Sequence, residues 1–255
     1  MNRSVLACAV LACVSSVAMA QSTIYSNIPG ALADNYPSLG YEATSTSEFG
    51  DRINFGGTAR LLQSATVTVS SWARSEDFGG ATTFNVPMTL NIYAAGSGAT
   101  PGALLGTVTQ TMVVPYRPTG YTANGIAANL TFDLSSLGLL APDSIVFGLA
   151  FNTEHRGYNP TGVSGPWNSL NFALNEAAGG GISIGSNDDL DDTMWNTTHA
   201  PFYTDLGAGG VGTFRQDTNW TGYTPMIEFT ATPTPGAAAL LGLGGMAAFR
   251  RRRTA

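Results

Sequence analysis

The chain has 255 residues, of which 44% are hydrophobic and only 11% charged, with 31 glycines, 13 prolines and no lysine. With Arg3 and the four terminal arginines set aside, six basic residues face seventeen acidic ones, so the body carries a net charge of −11. Such a surface repels phosphate backbones and anionic headgroups, which argues against nucleic acid as a partner. Few charges among many Gly, Ser, Thr and Asn residues fit short strands joined by turns.

At the start of the chain, Met1-Asn2-Arg3 supplies a short positive region, Val5 to Val17 an apolar stretch, and Ala18-Met19-Ala20 the small-x-small pattern of a cleavage site. A secretory signal over residues 1–20 is expected, cut before Gln21 by signal peptidase after passage through the secretion machinery. Both cysteines, Cys8 and Cys13, fall inside it, so the mature body is expected to hold no disulfide. Val10-Leu11-Ala12-Cys13 has Leu where a lipoprotein box wants a small residue, so the Ala20 cut is preferred.

Residues 21–231 are expected to form one domain. Leu61 to Trp72, with Thr66-Val-Thr-Val-Ser70 inside it, and Met88 to Tyr93 alternate polar and apolar residues, the pattern of strands with one buried face. Trp72, embedded in the first of these, is expected in the core. Thr107 to Val114 continues the theme until Pro115 and Pro118 end it. Asn129 to Leu134, Ser144 to Asn152, Ser169 to Leu174 and Met226 to Ala231 add four more strands between Gly, Pro and Asn clusters. Seven to nine strands and no long helix predict an all-β fold, an antiparallel β-sandwich of jelly-roll or other Greek-key type.

The second half of the body holds the candidates for chemistry. Gly181-Ile-Ser-Ile-Gly185 fits the nucleophile-elbow spacing, with Asp191 and His199 following in hydrolase order, but Ser186 to Asp192 does not read as the helix that such an elbow needs. No catalytic residue is assigned. Asp188, Asp189, Asp191 and Asp192 crowd four carboxylates into five residues and are candidate calcium ligands, against the plainer reading of a solvated acidic loop. Trp167, Trp195, Tyr203, Trp220 and Tyr223 lie among Asn, Asp and Gly, a mixture suited to stacking on sugars, or else they fill the core. Glu42, Glu48, Glu154, Glu176 and Glu228 are the acids from which a glycosidase pair would have to come, and spacing brings no two of them together. His155 and His199 have no partner at metal-ligand spacing.

The C-terminal stretch from residue 232 to 255 has a different character. Pro233-Thr234-Pro235 precedes a 13-residue apolar run, Ala237 to Phe249, closed by Arg250, Arg251, Arg252 and Arg253. As a helix that run reaches about 20 Å against a hydrocarbon core of about 30 Å, a marginal span whose arginines would sit on the cytoplasmic side. This order resembles the sorting signal of PEP-CTERM proteins, with Thr234 in place of the usual Glu. The resemblance, confined to residues 233–253, implies export, transient inner-membrane anchoring, cleavage near the Pro-Thr-Pro by an exosortase-type enzyme, and delivery to the envelope or extracellular matrix.

Pro37 to Asp51, Asn152 to Pro160 and Thr218 to Pro225 are similar to stretches in a group of exported bacterial proteins without assigned activity. Together these readings favour a non-catalytic envelope or matrix protein. A carbohydrate-binding module acting on extracellular polysaccharide comes second, and a secreted hydrolase third.

Overall fold

The computed structural model describes residues 20–34, 36–44, 46–97, 101–153, 165–176, 181–187, 193–196, 214–217 and 222–234. They form two antiparallel sheets packed face to face, an all-β architecture. The seven-stranded sheet contains β1 (Ser22–Ser26), β2 (Ser38–Gly40), β4 (Leu61–Ser71), β7 (Ile126–Asp133), β9 (Leu170–Glu176), β12 (Tyr223–Pro225) and β13 (Ile227–Thr232). The six-stranded sheet runs β11 (Phe214–Asp217), β10 (Thr193–Asn196), β3 (Glu48–Asn54), β8 (Ser144–Ala150), β5 (Thr83–Ala94), β6 (Leu104–Pro115). All seven expected strand segments are present. The short β1, β2 and β10 to β12, and β3 with its buried acids, are additions that hydrophobic alternation does not signal. Among the described residues the one α-helix, α1 (Tyr41–Thr44), is a single turn, and no helix is long and apolar enough to cross a membrane.

Alternation places one face of each strand in a shared core. Ala65, Val67 and Val69 of β4 face Val86, Met88, Leu90 and Ile92 of β5 in a single apolar cluster. Phe147 of β8 stands edge-on to Phe172 of β9 at 6.3 Å and to Phe229 of β13 at 6.2 Å, so one ring from the six-stranded sheet is set between two from the other. Pro87 is tolerated inside β5 because β8 pairs with β5 only from Thr89 onward, leaving the proline opposite Thr111 of the edge strand β6.

Three features hold the strands together, the last two joining one sheet to the other. First, β4 pairs along one side with β13 from Leu61 to Val67 and with β9 from Val69 to Ser71. Met226 sits at the fork: its N–H donates to Ala173 O (2.9 Å) and its carbonyl accepts from Thr68 N–H (3.1 Å). Second, the edges β6 and β7 meet where Asp133 N–H donates to the Gln110 side chain at 3.0 Å.

Third, residues 183–186 form an extended strap between the sheets. Ser26 N–H donates to Ile184 O (3.0 Å) and Ser183 N–H to Ser26 O (2.8 Å), while Asn54 and Ser186 exchange two backbone bonds of 2.8 and 3.0 Å. Gly185 turns the chain from β1 to β3 at φ 81°, and a Cβ there would lie 2.5 Å from Asn54 O. Only glycine accommodates both demands.

Candidate functional site

The expectation that Trp72 is core is overturned. In β4 the inward residues are Ala65, Val67, Val69 and Ser71, so Thr66, Thr68, Ser70 and then Trp72 point to the opposite face. There Thr66 bonds Thr131 across to β7 at 2.9 Å, Thr68 donates to Asn129 Oδ1 at 2.7 Å, and Trp72 stands 40% exposed at the strand end.

The indole is held in place. Its Nε1–H donates to Ser70 Oγ at 3.0 Å, and Trp72 N–H donates to Ser169 O at 2.8 Å. Gly125 lies directly beneath it: a Cβ at that position would fall 2.7 Å from the indole Nε1 and 2.2 Å from Ser70 Oγ. The turn that brings Gly125 there is fastened by Arg117, whose Nη1 donates to Ala123 O (3.2 Å) and Asn124 O (2.8 Å).

Trp72 and Ser169 form a ridge shared by two open clefts of about 400 and 420 Å³. The first cleft is walled by residues 38–44 and floored by Asn168 and Asn171. Its wall is anchored because Tyr41 plugs into the core, edge-on to Phe49 (4.6 Å) and tilted against Phe151 (4.2 Å), and donates its hydroxyl to Leu149 O (2.8 Å). That burial, together with the nearby Glu48 charge, holds the Tyr41 phenol well above its ordinary pKa. Thr44 Oγ1 caps the turn back to Gly40 O at 2.8 Å, leaving Glu42 on the lining.

The second cleft is lined by Arg74, Asp77, Phe78 and Arg117. Arg74 makes two bonds of 2.8 Å to Asp77 and one of 2.9 Å to Glu76, and these carboxylates raise its pKa further. Arg117 differs: its only partners among the described residues are backbone carbonyls, while the Asp77 carboxylate on the same lining is taken by Arg74.

The aromatic residues expected to bind sugars are not gathered on one face by the described structure. Trp167 is half-buried on the core and donates its Nε1–H to Asn85 O (2.9 Å), forming with Pro87, Phe151 and Asn152 a small pit of about 60 Å³. Tyr223 is half-buried in β12 opposite Glu176. Trp195 belongs to β10, where its backbone pairs with Phe49 and Arg215. Tyr203, Trp220, the calcium candidates Asp188, Asp189, Asp191 and Asp192, and the tail residues Pro235 and Arg250 to Arg253 lie outside the described residues. Pro233 and Thr234 follow β13 without regular structure.

The elbow reading of Ser183 is replaced by the strap. Ser183 is followed by Ile184 and Ser186 in bridges to β1 and β3 rather than by a helix, and its hydroxyl donates to Ser26 O at 3.1 Å. Of the acids considered, Glu48 is fully buried and accepts from Asn91 Nδ2 (2.8 Å) and the Tyr93 hydroxyl (2.9 Å). Gly148 leaves room for it, since a Cβ there would lie 2.0 Å from Glu48 Oε1. Glu42 lines the first cleft, Glu176 pairs opposite Tyr223, and Glu228 lies in β13 opposite Thr66. Asp51 faces inward, 2% exposed, accepting from Asn187 Nδ2 at 2.8 Å. Among the described residues no three His, Cys, Asp or Glu side chains converge as a metal site.

No protein-family model, no curated protein and no solved structure matches this chain.

Proposed function

We propose that this chain is an exported, sorting-tagged, non-catalytic protein of the cell envelope or extracellular matrix. The observation that carries the reading is the order of the tail: Pro233-Thr234-Pro235, thirteen apolar residues, then four arginines. A leader over residues 1–20 delivers the body across the inner membrane, the tail holds it there, and an exosortase-type enzyme releases it. Supporting a non-catalytic role, the Ser183 hydroxyl is engaged by a main-chain carbonyl and Glu48 by two buried donors. Repeated crossing of the chain between the two sheets, as from β6 to β7 to β8 to β9, supports a Greek-key sandwich.

Mass spectrometry of the envelope-associated protein tests the pathway. The expected species begins at Gln21 and lacks everything beyond the Pro233 region. A mature protein that retains Arg250 to Arg253 refutes processing. A second reading, carbohydrate binding, is favoured by one specific observation: an exposed tryptophan, fixed in orientation, between two open clefts of mixed polar and apolar lining.

A further inference from the structure

We infer that the two clefts flanking Trp72 form one binding site for an acidic polysaccharide, a pyranose polymer carrying carboxylates, whose chain crosses the indole and places sugars on either side. The inference rests on the carbohydrate-binding reading and specifies its site and ligand class. Pyranose rings offer an apolar C–H face and a rim of hydroxyls, so a receptor needs an aromatic plane beside hydrogen-bonding groups. Trp72 supplies the plane, 40% exposed yet held from below by Gly125 and from the side by Ser70. The first cleft supplies Asn171 and Ser38, whose side chains bond each other at 3.1 Å, and the Glu42 carboxylate, an acceptor for sugar hydroxyls, so a carboxylate-bearing sugar belongs in the second cleft.

The charge of the ligand follows from Arg117. Of the two arginines lining the second cleft, Arg74 is paired with Asp77 at 2.8 Å, whereas the partners of Arg117 among the described residues are backbone carbonyls alone. Arg117 lines this cleft, and with the bonds to the carbonyls made by Nη1, its Nε and Nη2 donors keep the planar geometry that matches a carboxylate. Because the ridge and the Tyr41-anchored wall are already rigid, little ordering is needed on binding.

The test uses the full chain purified in detergent, titrated with hexamers of galacturonate and of mannuronate and with neutral cellohexaose, following tryptophan fluorescence and calorimetry. At least one uronate hexamer is expected to bind, to change the fluorescence of the parent and of Trp167→Phe alike, and to weaken as salt is raised. Trp72→Ala should reduce the affinity at least tenfold. Gly125→Ala, which tilts the indole, should reduce it several-fold, with circular dichroism and unfolding midpoint showing that both variants remain folded. Absence of uronate binding at millimolar concentration, binding of the neutral hexamer alone, or affinity unchanged in folded Trp72→Ala overturns the inference. None of these results bears on the processed mass of the envelope-associated protein, so the proposed export and sorting stand or fall separately.

Discussion

Gly185 and Tyr25 show how much of the stability rests on single positions where the two sheets approach. Gly185→Ala would force a Cβ to within 2.5 Å of Asn54 O and 2.7 Å of the Tyr25 ring at a φ that L residues avoid. A loss of at least about 2 kcal/mol is expected from the backbone strain and the displaced strap, read as a lower midpoint in urea. Tyr25 is buried, and that burial, reinforced by the Asp51 charge, pushes its phenol pKa far up, as burial and Glu48 do for Tyr41. The folded state therefore keeps protons that the unfolded chain gives up above about pH 10. Stability should be insensitive to these groups below pH 10 and fall as pH rises beyond it, and Tyr25→Phe should flatten part of that fall in unfolding midpoints measured from pH 8 to 11. Neither residue announces itself in the sequence, since a glycine among 31 and an apolar-patterned tyrosine gain their roles from a neighbour far along the chain. Trp72 is different: its exposure was legible by parity, being in step with Thr66, Thr68 and Ser70, whereas hydrophobicity alone assigned it to the core.

At the level of elements, the long alternating strands were legible and the short ones were not. β4, β5 and β6 have 11, 12 and 12 residues, enough for a two-residue period to stand out from composition. β2 and β12 have three residues each, and their strand conformation is imposed by β9, which supplies the pairing. β3 escaped because its inward face carries Asp51 and its other face Glu48 and Arg52, so burial and charge coincide where sequence patterns expect them apart. The Trp72 groove belongs to the same class: β4 contributes the platform, β9 and α1 the wall, and the turn before β7 the glycine support, elements separated by dozens of residues. Packing between elements is concentrated at Phe147, whose ring bridges Phe172 and Phe229. Phe147→Ala should cost about 3–5 kcal/mol through lost burial and the cavity left behind, measured by chemical denaturation. Leu140→Ala, at a side chain 54% exposed, should cost far less.

For the whole molecule, the pairing of the first and last strands fixes where the ends emerge. Ser22 lies opposite Ala231, and Leu61 opposite Thr232, so both ends of the described body and the beginning of β4 share one pole. Trp72 follows the last residue of β4, eleven residues further on, which at about 3.3 Å per residue is a span of about 35 Å. Were the proposed tail to tether the body at that pole, the indole would lie at the opposite end of β4 from the point of attachment. Under those two proposals, attachment and capture would occupy opposite ends of the body, and neither would have to wait for the other.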